Sequence, residues 1–189
     1  MKKICLFICI ILLSGCYNFN EIEDLAIISA VAIDYTNYEY QIIFEIEEID
    51  QDGSETPYLI DGKGTTITKA FNNTASNINK TLYFANLEIL LLTSNISDPG
   101  DIINYISDNY DFAFNFSLAL SDQPYEVIKE IHEQNHIFGP YVKKLLERKA
   151  FKKYNVTYPE FLQKYLADNN FNIPLLELEN NNLSFRKAG

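Results

Sequence analysis

The sequence predicts an α+β domain with a mixed β-sheet of about five strands and flanking helices. Two apolar runs, residues 25–33 and 87–92, have the length and composition of strands buried on both faces. Two further segments alternate between apolar and polar residues, as half-buried strands do. Several segments with helical spacing lie between and after them. This mixture, which begins with a hairpin, indicates the α+β class.

The first strands of the sheet come from residues 25–33 and 38–47, with a turn between them. Along the second segment, Phe44 belongs to the apolar side of the alternation and Glu45 to the polar side. Ile43 is the one apolar residue on that polar side. This pattern predicts a strand with one face in water, paired with the first strand. Residues 50–64 contain a proline and three glycines, and this predicts a loop.

Helices and strands then alternate along the chain. Apolar residues at helical spacing predict a helix beginning at Thr65, and Ser97-Asp98-Pro99 predicts the start of another that ends near Asn109. Residues 112–120 alternate and predict a strand. The following segments complete the prediction: a helix over 125–134, helices beginning at Gly139-Pro140 and at Tyr158-Pro159, and a last strand over 173–178.

The N-terminus has the pattern of a lipoprotein leader. Lys2 and Lys3 precede an apolar run over residues 4–13, which is half of the roughly 20 residues that a membrane span needs. Leu-Ser-Gly-Cys, ending at Cys16, resembles the bacterial lipobox. The resemblance implies cleavage before Cys16 and a lipid on its sulfur. An ordinary secretory signal and an uncleaved anchor are the alternatives.

Composition limits the remaining classes of function. From Cys16 on, 174 residues remain, typical of one domain, with 13 basic and 26 acidic side chains and a formal charge of −13. Such a charge repels nucleic acid and anionic lipid headgroups, so we expect no nucleic-acid partner and attachment through the lipid. Cys16 is the only cysteine after the leader, which excludes an intrachain disulfide.

One motif has the form of a catalytic site. His132-Glu133-Gln134-Asn135-His136 matches H-E-x-x-H, in which two histidines on one helix face hold zinc and the glutamate activates water. Glu160 is the candidate third ligand. The polar Gln-Asn pair and the nearby Gly139-Pro140 argue against this interpretation. Two solvated histidines near a helix C-terminus are the simpler hypothesis, and we expect no cofactor and no enzymatic activity.

Two blocks of sequence carry a family resemblance. The first consists of Cys16-Tyr17, residues 21–26 (EIEDLA) and residues 31–34 (VAID). The second runs from Gly64 to Ala70 and leads to Leu82-Tyr83-Phe84; residues 87–92 and 172–175 add support. Together they resemble the Ger(x)C family of spore germination lipoproteins, the C subunits of nutrient germinant receptors. Because family members are about twice as long, the chain resembles their N-terminal domain alone.

The resemblance implies a function and a domain organisation. The expected protein is a lipid-anchored receptor subunit that binds the integral-membrane A and B subunits at the outer face of the spore inner membrane. The alternatives are a zinc metalloprotease lipoprotein and an extracytoplasmic solute-binding lipoprotein. The expected divisions are a signal peptide over residues 1–15, a lipidated tether over 16–24, the domain over 25–179, and a tail or the start of a second domain over 180–189.

Overall fold

A computed structural model describes residues 24–49, 55–96, 98–109, 112–168, 172–179 and 182–187. Cys16 and the predicted signal peptide lie outside these residues. The described chain folds as an α+β domain, which confirms the predicted class. The strands are β1 (Leu25–Thr36), β2 (Glu39–Ile49), β3 (Glu55–Gly64), β4 (Thr81–Tyr83), β5 (Ile89–Thr93), β6 (Ser117–Ser121), β7 (Val156–Thr157), β8 (Pro174–Glu179) and β9 (Asn182–Lys187). The helices are α1 (Ile67–Ala75), α2 (Gly100–Asp108), α3 (Pro124–Glu133), α4 (Phe138–Glu147) and α5 (Tyr158–Asp168).

The strands form one mixed sheet in the order β3-β2-β1-β5-β6-β8-β9, with β4 beside β1 and β7 beside β6. Strands β1, β5, β6 and β8 run parallel, whereas β2, β3, β7 and β9 pair antiparallel to their neighbours. Nine strands replace the predicted five or so. The difference arises from β3, β4, β7 and β9, which are short, glycine-containing or polar and so lack a strong apolar pattern.

Helices cover both faces of the sheet. Helices α1, α2 and α5 pack on one face, which we call the aromatic face because linked rings fill it. Its Phe44 ring lies 5.4 Å from Phe71 and 5.5 Å from Phe84, and Phe84 stacks on Phe112 at 4.4 Å. Helices α3 and α4 pack on the other face, which we call the aliphatic face. Among the described residues, no helix is both long and apolar enough to cross a bilayer.

The predicted loop over residues 50–64 is wrong from Glu55 on, because Glu55–Gly64 forms strand β3. Each residue of β3 pairs with β2, from Glu55 opposite Ile49 to Gly64 opposite Tyr40. Glycines in β3 permit close packing of α1. A Cβ on Gly62 would lie 2.5 Å from the Thr74 nitrogen, and one on Gly64 would lie 2.5 Å from the Ala70 nitrogen. These glycines therefore mark the positions at which the backbone of β3 lies close to the backbone of α1.

The predicted strand over residues 112–120 is shorter than expected. Only Ser117–Ser121 is a strand, and Phe112 and Phe116 are buried in the segment before it. Their alternation comes from packing against the aromatic face, which buries rings outside regular structure as well. At the other end of the chain, β9 pairs with β8 from Asn182 opposite Glu179 to Lys187 opposite Pro174, so the sheet continues beyond residue 179.

Candidate functional site

A buried carboxylate joins the H-E-x-x-H segment to the sheet. Glu45 is fully buried on the aliphatic face. Its Oε1 accepts hydrogen bonds from the Phe138 backbone nitrogen at 2.6 Å and from His132 Nε2 at 2.5 Å. Its Oε2 accepts from Ser29 Oγ at 2.6 Å and from the Gly139 backbone nitrogen at 2.8 Å. We call these five residues the carboxylate cluster. Four donors for two oxygens match the accepting capacity of a carboxylate.

A β-bulge places Ser29 in the cluster. The pairing of β1 with β2 passes from Ile28 opposite Ile46 to Ala30 opposite Glu45, so Ser29 is an extra residue on β1. Bulges redirect side chains locally. Here the bulge leaves the Ser29 hydroxyl beside Glu45, while its carbonyl oxygen accepts from the Glu88 nitrogen at 2.9 Å. The irregularity in the strand therefore supplies one donor to the carboxylate.

The start of α4 supplies the two backbone donors. The first N–H groups of a helix have no partner within it, and the helix dipole favours a negative charge there. Glu45 occupies this position, which is the usual place for an anion at a helix N-terminus. The contact requires glycine, because a Cβ on Gly139 would lie 2.3 Å from the Ser29 carbonyl oxygen. Helix α4 is thus held against β1 at its first turn.

The two histidines of the motif lie on different sides of a helix end. Helix α3 stops at Glu133, and Asn135 has a positive φ of 59°. The Asn135 nitrogen donates to the His132 carbonyl oxygen, and the His136 nitrogen donates to that of Ile131. This is the Schellman pattern of helix termination. As a result, His132 points to Glu45, whereas His136 is exposed and stacks on Tyr141 with ring centroids 4.7 Å apart.

The other candidate zinc ligands are also apart. Glu133 is exposed and lies 4.0 Å from Lys129, a helical i,i+4 pair. Glu160 accepts from the Thr157 nitrogen at 3.1 Å at the start of α5. The sheet separates this helix, on the aromatic face, from His132 on the aliphatic face. In the part of the chain that the structure describes, no three His, Cys, Asp or Glu side chains form a group suited to a metal.

Ser29, Glu45 and His132 also lack the order of a catalytic triad. In a triad the histidine lies between the nucleophile and the carboxylate. Here Glu45 lies between the other two, and the Ser29 hydroxyl donates to the carboxylate instead of to the imidazole. Ser29 is 1% exposed. A histidine that does not contact the serine cannot remove its proton. The hydrogen bonds of the cluster instead connect α3 and α4 to the sheet.

An open cleft of about 500 Å³ lies between the start of α1 and helix α2. Its walls combine polar and apolar surface and include Tyr40, Ile67, Asp101 and Asp108. Burial raises the pKa of Tyr40, and the charge of Asp101 adds to the shift. The cleft is the feature most relevant to the alternative of a solute-binding lipoprotein, and within the described residues it is an open depression on one domain.

Of the five residues in the carboxylate cluster, His132 is the one that a sequence motif indicates as a candidate site residue. Ser29, Glu45 and Gly139 are not indicated in this way. The signal that favours a buried partner for Glu45 is Ile43, an apolar residue on the side of β2 that alternation places in water. Ile43 is fully buried on the aliphatic face.

Comparison with known proteins gives a family match and two relatives. The family described as "Spore germination protein N-terminal domain" matches residues 18–178. The putative spore germination protein YfkR of Bacillus subtilis (strain 168) is 28% identical over 106 residues, 50% of this chain and 27% of that protein. Spore germination protein KC of the same organism is 25% identical over 123 residues, 59% of this chain and 30% of that protein. The matches thus span less than one third of either relative. No solved structure matches the chain.

Proposed function

Because the chain belongs to the spore germination protein N-terminal domain family, as the Ger(x)C resemblance predicted, we propose that it acts in spore germination as a subunit of a nutrient germinant receptor. The observation that carries the proposal is the family match, which extends over nearly all of the described domain. The relatives support it, since both are named as spore germination proteins.

The proposed mode of action is the binding of other proteins. The buried polar groups near the H-E-x-x-H segment hydrogen-bond one another within the domain, an arrangement that suits a structural role better than a catalytic one. The partners that the family resemblance suggests are the integral-membrane A and B subunits. The proposed place is the outer face of the spore inner membrane, to which a diacylglyceryl group on Cys16 attaches the chain. Two acyl chains are enough for stable attachment.

The decisive experiment is deletion of the gene, followed by germination assays with a panel of nutrients. We expect loss of the response to at least one nutrient and its recovery on complementation with the unaltered gene. Co-purification from spore membranes should recover the A and B subunits. A normal response to every nutrient, with no receptor subunit co-purifying, would refute the proposal.

A Cys16→Ala variant tests the anchor separately. Mass spectrometry of the membrane fraction should find the chain beginning at a diacylglyceryl cysteine, and the variant should be released or left unprocessed. Membrane retention of a cleaved Cys16→Ala chain would contradict lipid anchoring.

Metal analysis distinguishes the protease alternative. We expect far less than one zinc per chain, because His132 Nε2 is bonded to Glu45 and His136 points elsewhere. Stoichiometric zinc that disappears in His136→Ala would favour the protease.

A further inference from the structure

The charge of the chain is unevenly distributed. The full sequence carries a formal charge of −11. Yet eight of the thirteen basic residues that follow Cys16 fall in residues 143–153 and 182–187, and Glu147 is the one acidic residue in those segments. A net charge therefore describes this surface poorly, because the basic groups are concentrated in a small part of it.

The fold brings the two segments together. The rings of Phe151 and Tyr154 lie 5.7 Å and 6.1 Å from the ring of Phe185 on β9. Lys153 and Lys187 line the same small depression. We define the basic surface as the six exposed cations of these segments that form no ion pair with the described acidic residues. They are Lys144, Arg148, Lys149, Lys152, Lys153 and Lys187.

Two further cations of these segments are neutralised locally. Lys143 pairs with Glu88 at 2.5 Å, and Arg186 pairs with Glu177 at 2.6 Å. The positive charges of the six others repel one another, which opposes folding. They form no ion pair with the described acidic residues, even though acidic residues are twice as numerous as basic ones after Cys16. An exposed cluster of like charges in an acidic protein indicates an external partner of opposite charge.

We propose that the basic surface binds anionic lipid headgroups and so orients the domain on the membrane, an inference that rests on the proposed lipid anchor. Strands β1 and β9 are four strand positions apart, about 19 Å. The nine-residue step from Cys16 to Leu25 can extend about 30 Å. The basic surface can therefore reach the bilayer that holds Cys16.

The position of the basic surface favours the same orientation. It lies on the side of the amino ends of the parallel strands, since Lys143 pairs with Glu88 just before β5, and Thr157 pairs with Ser117 at the start of β6. β1 also begins at that end. At the opposite end, which we call the acidic end, lie the carboxylates of Asp34 late in β1, Glu39 at the start of β2, and Asp98, Asp101 and Asp122 after β5 and β6. The orientation that brings lysines to the headgroups takes these carboxylates away from them.

A lipid surface explains the basic surface better than a protein partner does. Binding energy at protein interfaces is concentrated in Trp, Tyr and Arg side chains, whereas five of the six cations of the basic surface are lysines, a residue type depleted at such interfaces. Among the described residues, the exposed large hydrophobic side chains are Tyr38, Tyr83, Phe114 and Leu166, and none of them belongs to the basic surface. Phe151 and Tyr154 are turned toward β9. Lysines without an exposed apolar anchor beside them suit a fluid layer of anionic headgroups.

Amine-reactive labelling read by mass spectrometry tests the proposal. The full lipidated chain is reconstituted in vesicles of phosphatidylcholine, with or without about one third phosphatidylglycerol. We expect labelling of the five lysines of the basic surface to fall about threefold with the anionic lipid. Raising the salt to about 1 M, where the screening length is about 3 Å, should restore it. Lys63 and Lys69, near the acidic end, serve as internal controls and should not change.

Charge-reversal variants provide the matched comparison. Lys149→Glu, Lys152→Glu and Lys153→Glu together should abolish the protection of Lys144 and Lys187. The control triple Lys63→Glu, Lys69→Glu and Lys164→Glu makes the same change in charge elsewhere and should retain it. Thermal unfolding checks that both triples fold.

Three outcomes overturn the inference. Equal labelling in both vesicle types, on a chain shown to carry the lipid, refutes it and leaves the proposed function intact. Protection of these lysines in spore membranes but not in anionic vesicles would show that the basic surface binds a protein partner instead of lipid headgroups. Absence of the lipid on Cys16 removes the premise that the inference shares with the proposed anchoring.

Discussion

Phe44 and Glu45 are neighbours on β2, and both are fully buried, but they stabilise opposite faces by different interactions. Phe44 packs among rings on the aromatic face, where many weak contacts add up and a lost methylene group removes only a part. Glu45 accepts hydrogen bonds from four donors on the aliphatic face. If it is removed, all four donors lose their acceptor together. Single substitutions on the aromatic face should therefore lower the free energy of unfolding in small steps. Loss of Glu45 should remove all the hydrogen bonds of the carboxylate cluster at once.

Replacement of Glu45 should have the largest effect. Glu45→Ala leaves two backbone N–H groups, a hydroxyl and an imidazole without their acceptor, and we expect the free energy of unfolding to fall by about 4 kcal/mol. Glu45→Gln keeps the shape but replaces one accepting oxygen with a donor, which should cost about 2 kcal/mol. Urea unfolding measures both. A loss below about 1 kcal/mol for Glu45→Ala would show that the cluster contributes little.

Gly139→Ala tests the same cluster without changing its charge. The new methyl group would meet the Ser29 carbonyl oxygen, a backbone atom that cannot move alone. We expect a loss of about 2–3 kcal/mol and faster amide exchange at the start of α4. Gly100→Ala is the matched control. Its nearest atoms, 3.1 Å away, belong to the side chains of Asp98 and Tyr165, which can shift. The control should remain within about 0.5 kcal/mol of the unaltered chain.

Phe44→Leu gives the corresponding change on the aromatic face. Leucine keeps most of the buried volume but loses the ring contacts with Phe71 and Phe84, so we expect a loss of about 1 kcal/mol. The same urea measurement applies. A loss equal to that of Glu45→Ala would contradict the proposed difference between the two faces.

The smallest effect concerns pH. Burial raises the pKa of Tyr158 above its ordinary value of 10.0, although a hydrogen bond with Ser107 lowers it in part. The unfolded chain therefore loses this proton at lower pH than the folded chain. The contribution of Tyr158 to the free energy of unfolding is therefore fully present below pH 10, and it is lost as the pH rises through the pKa of the folded state.

Two other tyrosines shift in the same direction. Burial raises the pKa of Tyr40, and a hydrogen bond to Asp98 raises that of Tyr165. Tyr158→Phe should therefore flatten the fall in stability above pH 10 without abolishing it. An unchanged slope in thermal unfolding from pH 9 to 11 would show that Tyr158 does not cause the fall.

Sequence patterns predicted the elements that have either a continuous apolar run or one continuous apolar side. The hairpin of β1 and β2, the strand β5 and all five helices follow from them. They placed Phe44 on the core side correctly, but they gave Glu45 to solvent. Alternation separates the two faces of a strand and carries no information on what covers each face. Glu45 is covered by α3 and α4, and the residues of these helices that contact it lie 87 to 94 residues further along the chain.

The H-E-x-x-H segment shows a second limit of sequence patterns. The spacing of His132 and His136 is compatible with one helix face only while the helix continues. The positive φ of Asn135 ends it between them. Asn135 is a residue type that tolerates this conformation, and Gly139-Pro140 follows closely, so the termination could be predicted. The bond from His132 to Glu45 could not, because it depends on tertiary packing.

The order of synthesis gives the carboxylate cluster a further consequence. Glu45 precedes His132 by 87 residues and Gly139 by 94, so a ribosome produces β1, β2 and β3 well before α3 and α4 exist. Until α3 and α4 are made, nothing from them can cover the aliphatic side of these strands, where Glu45 is the polar residue among apolar ones. Charged side chains on exposed strands oppose pairing between chains. We therefore expect the residue that fixes α4 in the finished domain to oppose aggregation of the incomplete chain as well.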